Sequence, residues 1–349
     1  MVVVMSGSAS DEDIARVVEA VEDAGGEAFV SRGKHRTIIG LVGDTERFTA
    51  LPIPGLPGVE EVVRIGKPYK LVARESRSTP TVIPIGNVSI SRDTFCVIAG
   101  PCAIETEDQA LAAARAAKAA GAHILRGDAY KHRTSPYAFQ GLGKRGLEIL
   151  AHMRQETGMP IVTEVLNTTD VELVASYADI LRVGARNMQN FELLKECGKL
   201  HKPIMLKRGL SSTIEEWLMA CEYIARQGNE EIILCERGIR TYEPMTRNTL
   251  DISAAPLIHN LSHLPIIIDP SHSGGRRELV RPLARAAVAI GADGIMVDVH
   301  PNPAAALCDG PQAITVEEIG ELMHDIVALA KAIGKPLANP RQNLEAAGQ

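Results

Sequence analysis

Pro265-Ile-Ile-Ile-Asp-Pro-Ser-His-Ser-Gly-Gly275 passes from a β-branched apolar run into a polar, glycine-rich turn, and an amphipathic Ala/Leu-rich stretch follows it. From Phe95 onward this pattern repeats, with strand candidates at residues 96–100, 123–127, 160–165, 180–184, 203–208, 231–236, 265–269 and 294–299. A short β-branched run followed by helical periodicity is one strand-helix unit. Eight such units in succession are what a closed (β/α)8 TIM barrel requires. A doubly wound open sheet is the weaker reading, because no dinucleotide-binding turn directly follows a strand.

The remaining N-terminal residues form a different pattern. Residues 2–5 make a short apolar strand, and Ser10 to Asp13 make a capping box before Ile14, Val17, Val18 and Val21, which recur at helical spacing. A helix over 11–24 is therefore expected, then a hairpin-like pair at 27–31 and 36–42 around Gly33. A short segment capped by Asp44 and apolar pieces at 59–65 and 69–73 complete the order β-α-β-β-α-β, that of a ferredoxin-like α+β domain. The reading assigns 1–75 to this module, 76–93 to a linker and a barrel-capping hairpin around Gly86-Asn87, 94–336 to the barrel and 337–349 to a tail. The module's blander role is a solubilising or oligomerising appendage.

Composition narrows the function. The 349 residues are 45% hydrophobic and carry a net charge of −6, so no global basic field favours nucleic acid or an anionic membrane. The start, an apolar run followed at once by acids, lacks the basic region of a signal peptide. Six cysteines scattered through a long chain suit reduced thiols, and the expected location is the cytoplasm.

In a TIM barrel the chemistry sits where the strands end. Those ends here hold Arg126, Lys131, Arg133, Arg186, Lys207 and Arg237. A single Lys or Arg is usually a solvated surface charge, but six converging on one rim of an acidic protein repel one another unless an anion joins them. Guanidinium forks and lysine point charges suit phosphate and carboxylate. A second group, Cys102, His272, Asp298 and Asp309, comes from strands 1, 7 and 8 and the loop after strand 8, which become neighbours on closure. Each alone is usually structural; together they suit a divalent metal, Mn, Fe, Zn or Co. Ser271 and Ser273 flank His272 without a nucleophile elbow, which argues against a hydrolase triad. Lys207 ends a strand as Schiff-base lysines do, which leaves a metal-free mechanism as a minor alternative. Tyr130, His300 and Glu164 are candidates for supporting positions.

The strings Gly-Pro-Cys-Ala (100–103), Lys-His-Arg-Thr-Ser-Pro-Tyr-Ala-Phe-Gln-Gly (131–141), Val-Gly-Ala-Arg (183–186), Leu-Lys-Arg-Gly (206–209), Asp-Pro-Ser-His (269–272) and Met-Val-Asp-Val-His-Pro (296–301) resemble those of the type I 3-deoxy-D-arabino-heptulosonate 7-phosphate (DAHP) synthases. The resemblance covers the barrel end to end, and the N-terminal module looks like the regulatory domain of one branch of that family. It implies condensation of phosphoenolpyruvate with erythrose 4-phosphate, entry to the shikimate pathway. Arg186, Lys207 and Arg237 would then hold phosphoenolpyruvate, with Arg126 and Lys131 nearby; Arg133, Thr134 and Ser135 would take the sugar phosphate. Cys102, His272, Asp298 and Asp309 would bind the metal, with Lys131, Cys102 and His272 as catalytic residues. A homotetramer inhibited by Tyr or Phe is also implied. Three positions depart from the family pattern: Asp298 replaces Glu, His132 replaces Pro and Asp128 replaces Gly. The related 3-deoxy-octulosonate 8-phosphate synthases usually read Lys-Ala-Asn-Arg-Ser here, so the direct Lys-X-Arg-Thr-Ser spacing favours the heptulosonate enzyme. A catalytically weak binding paralogue is the alternative from another class.

Overall fold

The computed structural model describes residues 1–32, 37–63, 66–77 and 79–338. The chain divides into two compact units, Met1–Pro68 and the residues from Tyr69 onward.

The first unit holds β1 (Val2–Met5), a helix at Asp11–Asp23, β2 (Glu27–Arg32), β3 (Thr37–Val42), a helix at Thr45–Ala50 and β4 (Val59–Val63). Its sheet runs β2-β3-β1-β4 with every neighbouring pair antiparallel, as in a ferredoxin-like domain. The Asp11–Asp23 helix starts where the sequence says it should. Ser10 Oγ accepts from the Asp13 amide at 3.2 Å, and Asp13 Oδ2 accepts from the Ser10 amide at 2.9 Å. Ile14, Val17 and Val21 then face the sheet and are buried with Val3, Met5, Ile39 and Leu41, while Val18 is only partly buried. The expected turn at Gly33, Arg36 and Ile65 lie outside the described residues.

Residues 69–73, read above as part of the N-terminal module, belong to the second unit. They form no strand; Tyr69, Val72 and Ala73 join the apolar core around the barrel. A buried carboxylate fixes them there: Glu222 accepts from the amides of Lys70, Leu71 and Val72 at 2.9, 2.8 and 3.2 Å.

The barrel strands are β7 (Cys96–Gly100), β8 (Ile124–Arg126), β9 (Ile161–Val165), β10 (Ile180–Val183), β11 (Ile204–Lys207), β12 (Ile232–Glu236), β13 (Ile266–Ile268) and β14 (Gly294–Asp298). They pair in parallel from β7 to β14, and β14 closes on β7 with Gly294 opposite Cys96 and Asp298 opposite Gly100. The preceding hairpin, β5 (Ile83–Ile85) and β6 (Val88–Ile90), turns at Gly86, whose φ of 58° suits glycine. Its Ile83, Ile85, Val88 and Ile90 pack with Cys96, Ile124 and Ile180, the first residues of three barrel strands, and so plug the barrel interior. The string Gly141-Leu-Gly-Lys-Arg-Gly146 has dinucleotide-turn spacing but no strand directly before it; Gly143 caps the helix Lys144–Thr157. Among the described residues no helix is long and apolar enough to cross a membrane.

Candidate active site

Strand periodicity places the chemistry. Ile98, Ile124, Val162, Ile180, Met205, Cys235, Ile267 and Met296 share the apolar core inside the barrel. The residues two further along, Gly100, Arg126, Glu164, Arg182, Lys207, Arg237, Asp269 and Asp298, therefore turn to the same inner side. One strand after another thus contributes to a layer of charged groups above the apolar plug. Gly100 is the small member; a Cβ there would collide with the Arg126 carbonyl.

Buried charges need partners, and most of this layer has them. Lys207 Nζ donates to Asp269 Oδ2 at 2.6 Å. Arg182 bonds Asp128 at 2.6 Å and Glu164 at 2.8 Å. Arg126 is fully buried, ion-paired with Asp298 and 3.3 Å from both Asp128 Oδ2 and the Cys102 carbonyl. Burial would raise the Asp128 pKa, but Arg182, Lys131 and Arg126 together hold it far below the carboxylate range. Arg237 is the exception. It is 5% exposed, forms no ion pair among the described residues, and its buried Nη1 has no hydrogen-bond partner. Burial lowers its pKa below the usual guanidinium value. An unpaired buried cation facing a cavity is a binding position for an anion.

That cavity, of about 410 Å³, is lined by Lys131, His132, Arg133, Thr134, Ser135, Arg186, Lys207, Arg237, Arg240, Arg247, His272 and Asp309 among others. The cations read from the strand ends thus meet in one place, with Arg186 Nη2 3.5 Å from Thr134 Oγ1. Arg126 departs from that expectation: it lies beneath the cavity, a counter-ion for Asp128 and Asp298, and does not line it. Sequence reasoning passed over Arg182, Arg240 and Arg247. The arginine inside the apolar run Ile-Leu-Arg-Val was the available signal for Arg182.

Beside the cavity stands the second group. Cys102 Sγ lies 3.6 Å from His272 Nε2, 3.2 Å from Asp309 Oδ2 and 3.8 Å from Cys308 Sγ. Asp298 Oδ2 sits 3.6 Å from the other ring nitrogen, His272 Nδ1, and accepts from Gln312 Nε2 at 2.7 Å. Asp269 Oδ2 is 2.8 Å from the same Nδ1, close but not aligned as a hydrogen bond. Cys308, read from sequence as a small hydrophobe, and Asp269 were not anticipated here. Asp309 takes the left-handed conformation, φ 54°, that turns its carboxylate back toward His272. Burial would raise its pKa, but the His272 and Arg247 charges hold it far below the usual range. The hydrogen bond with Cys308 and burial push the Cys102 thiol well up.

The donors are chemically right for a divalent metal: thiol, imidazole and carboxylate in groups whose ligand atoms lie within 4.8 Å of one another. Burial depresses the His272 pKa, but Asp269 and Asp298 outweigh it and raise it to about 9. A metal binds only neutral imidazole and thiolate. Metal uptake should therefore release protons, and affinity should fall by about tenfold or more for each unit of pH below about 9. Titration calorimetry in buffers of different ionisation heat reads this directly. Affinity that is unchanged across neutral pH would contradict the protonated resting state.

A closed (β/α)8 barrel with a cation-lined cavity and a metal-competent thiol-imidazole-carboxylate group at its strand ends is a barrel built for anionic substrates. Residues 72–333 match the DAHP synthetase I family, and residues 1–67 match the DAHP synthase ferredoxin-like domain. The phospho-2-dehydro-3-deoxyheptonate aldolase of Thermotoga maritima is 52% identical over 334 residues, 96% of this chain and 99% of that protein. The 2-dehydro-3-deoxyphosphooctonate aldolase of Bradyrhizobium diazoefficiens is 34% identical over 289 residues, 76% of this chain and 99% of that one. The crystal structure of the Thermotoga maritima DAHP synthase superposes with a TM-score of 0.91 at 50% identity, covering 96% of this chain and 98% of that one. The chain belongs to the DAHP synthetase I family.

Proposed function

We propose that this protein condenses phosphoenolpyruvate with erythrose 4-phosphate and water, giving DAHP and inorganic phosphate at the entry to aromatic amino-acid biosynthesis. The carrying observation is the unpaired, buried Arg237 at the floor of a cation-lined cavity beside the Cys102, His272 and Asp309 group. Arg237, Lys207, Arg186 and Lys131 hold the phosphate and carboxylate of phosphoenolpyruvate. Arg133, Thr134 and Ser135 take the phosphate of the aldose. Holding two anionic reactants against one another offsets both their repulsion and the entropy of bringing them together.

Lys131 links the two regions. Its Nζ bonds the Cys102 carbonyl at 3.1 Å, Cys102 Sγ at 3.2 Å and Asp128 at 2.9 Å. Burial would lower its pKa, but Asp128 and the neighbouring thiols raise it well above the lysine value, so it stays an ammonium. From there it can hold a proton at the aldehyde oxygen while the enol carbon attacks. A divalent metal held by Cys102, His272 and Asp309, with Asp298 beside them, would supply Lewis acidity for that same oxygen. The manganese, iron, zinc and cobalt ions all suit such donors. The ferredoxin-like domain is the regulatory element of this reading, a sensor of Tyr or Phe in a cytoplasmic homotetramer.

The test is a phosphate-release assay with phosphoenolpyruvate and a panel of aldose phosphates, with and without chelator, then with Tyr or Phe added. Turnover is expected with erythrose 4-phosphate, abolished by chelator, restored by zinc, cobalt or manganese, and reduced by one of the two amino acids. Preferred turnover of arabinose 5-phosphate would move the assignment to the octulosonate reaction, and no turnover of any aldose would leave a binding paralogue.

A further inference from the structure

Cys102, Cys308, His272 and Asp309 bring four donor atoms to the edge of the cavity, and four of their six separations can be compared with those of a tetrahedral site. A tetrahedral zinc, with Zn–S about 2.3 Å and Zn–N and Zn–O about 2.0–2.2 Å, sets edges of about 3.8 Å for S···S, 3.6 Å for S···N and 3.4 Å for N···O. The Cys102 and Cys308 sulfurs are 3.8 Å apart, Cys102 Sγ is 3.6 Å from His272 Nε2, and that nitrogen is 3.6 Å from Asp309 Oδ2. Cys308 lies with Cys102 and Asp309 in one group of donors within 4.8 Å, and Asp298 lies with Cys102 and His272 in another. The Cys102 to Asp309 edge, 3.2 Å, is shorter than the roughly 3.6 Å of a tetrahedral S···O edge, and the Cys102 thiol donates a hydrogen bond across it.

Asp298 is turned elsewhere. One oxygen is ion-paired with the buried Arg126, and the other accepts from Gln312 at 2.7 Å. Its approach to His272 is to Nδ1, at 3.6 Å, where Asp269 already lies at 2.8 Å. Two carboxylates beside Nδ1 keep a proton there, which leaves the metal-binding lone pair on Nε2, facing the sulfur and Asp309. Each sulfur has its own cation: Lys131 Nζ is 3.2 Å from Cys102, and Arg133 Nη1 contacts Cys308. Those cations offset the negative charge that two thiolates would add.

Resting on the reading that this group holds a divalent metal, we infer that the site is a two-thiolate one, with Cys102, Cys308, His272 and Asp309 as ligands. Asp298 stands outside it as the counter-ion of Arg126. Two thiolates select zinc, cobalt or ferrous iron over manganese.

X-ray absorption of the full chain loaded with one equivalent of zinc should count two sulfurs per metal. With cobalt, the thiolate-to-metal absorption band should fall by about half in Cys308→Ser and persist in Asp298→Asn. Manganese in excess should leave the cobalt band in place. One sulfur per metal in the unaltered protein, a band insensitive to Cys308→Ser, or no metal uptake overturns the assignment, and the count on the unaltered chain decides even if the variant does not fold. The count is also independent of turnover. Two sulfurs in a protein that consumes no phosphoenolpyruvate would remove the proposed activity and keep this site, and one sulfur in an active enzyme would do the reverse.

Discussion

Arg237→Met should lower kcat/KM for phosphoenolpyruvate by about 10²–10³-fold while leaving the ligand-free protein as stable as before or more so. The guanidinium is buried, has no acidic partner among the described residues, and carries an unsatisfied Nη1. A guanidinium so placed is expected to take its partner from the ligand. Two hydrogen bonds to charged oxygens, near the low end of their roughly 1.5–3 kcal/mol each, account for about 3–4 kcal/mol of the complex. Without ligand the same group costs desolvation that the charge of Asp269 only partly offsets, so an apolar side chain of similar length relieves it. Steady-state kinetics and a thermal melt on the same preparation test both halves. A variant that melts well below the parent while keeping its affinity would mean that Arg237 is structural.

The opposite balance is expected at Asp128. Its carboxylate is fully buried and bonds Arg182 at 2.6 Å, Lys131 at 2.9 Å and Arg126 at 3.3 Å. Asp128→Gly removes the shared counter-ion of three buried cations, which should destabilise the ligand-free protein by about 3–5 kcal/mol. That loss should lower the melting temperature by roughly 6 °C or more. Inorganic phosphate, an added anion for the uncovered cations, should raise the variant's melting temperature more than the parent's. Equal melting temperatures without phosphate would show that Asp128 does not hold the cations together. Where the family resemblance implies Gly, this chain carries a built-in anion. Its affinity for phosphoenolpyruvate should rise in the variant.

Much of this was legible in the sequence for one reason: a strand buried on both faces reads as an apolar run, and its polar end marks the chemical end of the barrel. Lys207, Arg237, His272 and Asp309 follow from that rule. Arg182 did not, because it sits inside a run and was masked by Ile180, Leu181 and Val183. Cys308 was illegible because a thiol in an apolar context looks like packing until the loop after β14 folds back beside Cys102. The engagement of Asp298 with Arg126 depends on two non-adjacent strands, β14 and β8, meeting across the closed barrel, which no local pattern announces. Residues 69–73 are apolar enough for either unit, and only the remote carboxylate of Glu222 decides between them.

The central claim is that the cavity joins the two phosphorylated substrates by a new carbon-carbon bond. Phosphoenolpyruvate labelled with carbon-13 at its methylene carbon, incubated with erythrose 4-phosphate and the metal-loaded chain, tests it most directly by carbon NMR. The account predicts one seven-carbon product in which the labelled carbon is bonded to the former aldehyde carbon, formed in step with inorganic phosphate. Labelled pyruvate with free phosphate, or unchanged phosphoenolpyruvate, would contradict it.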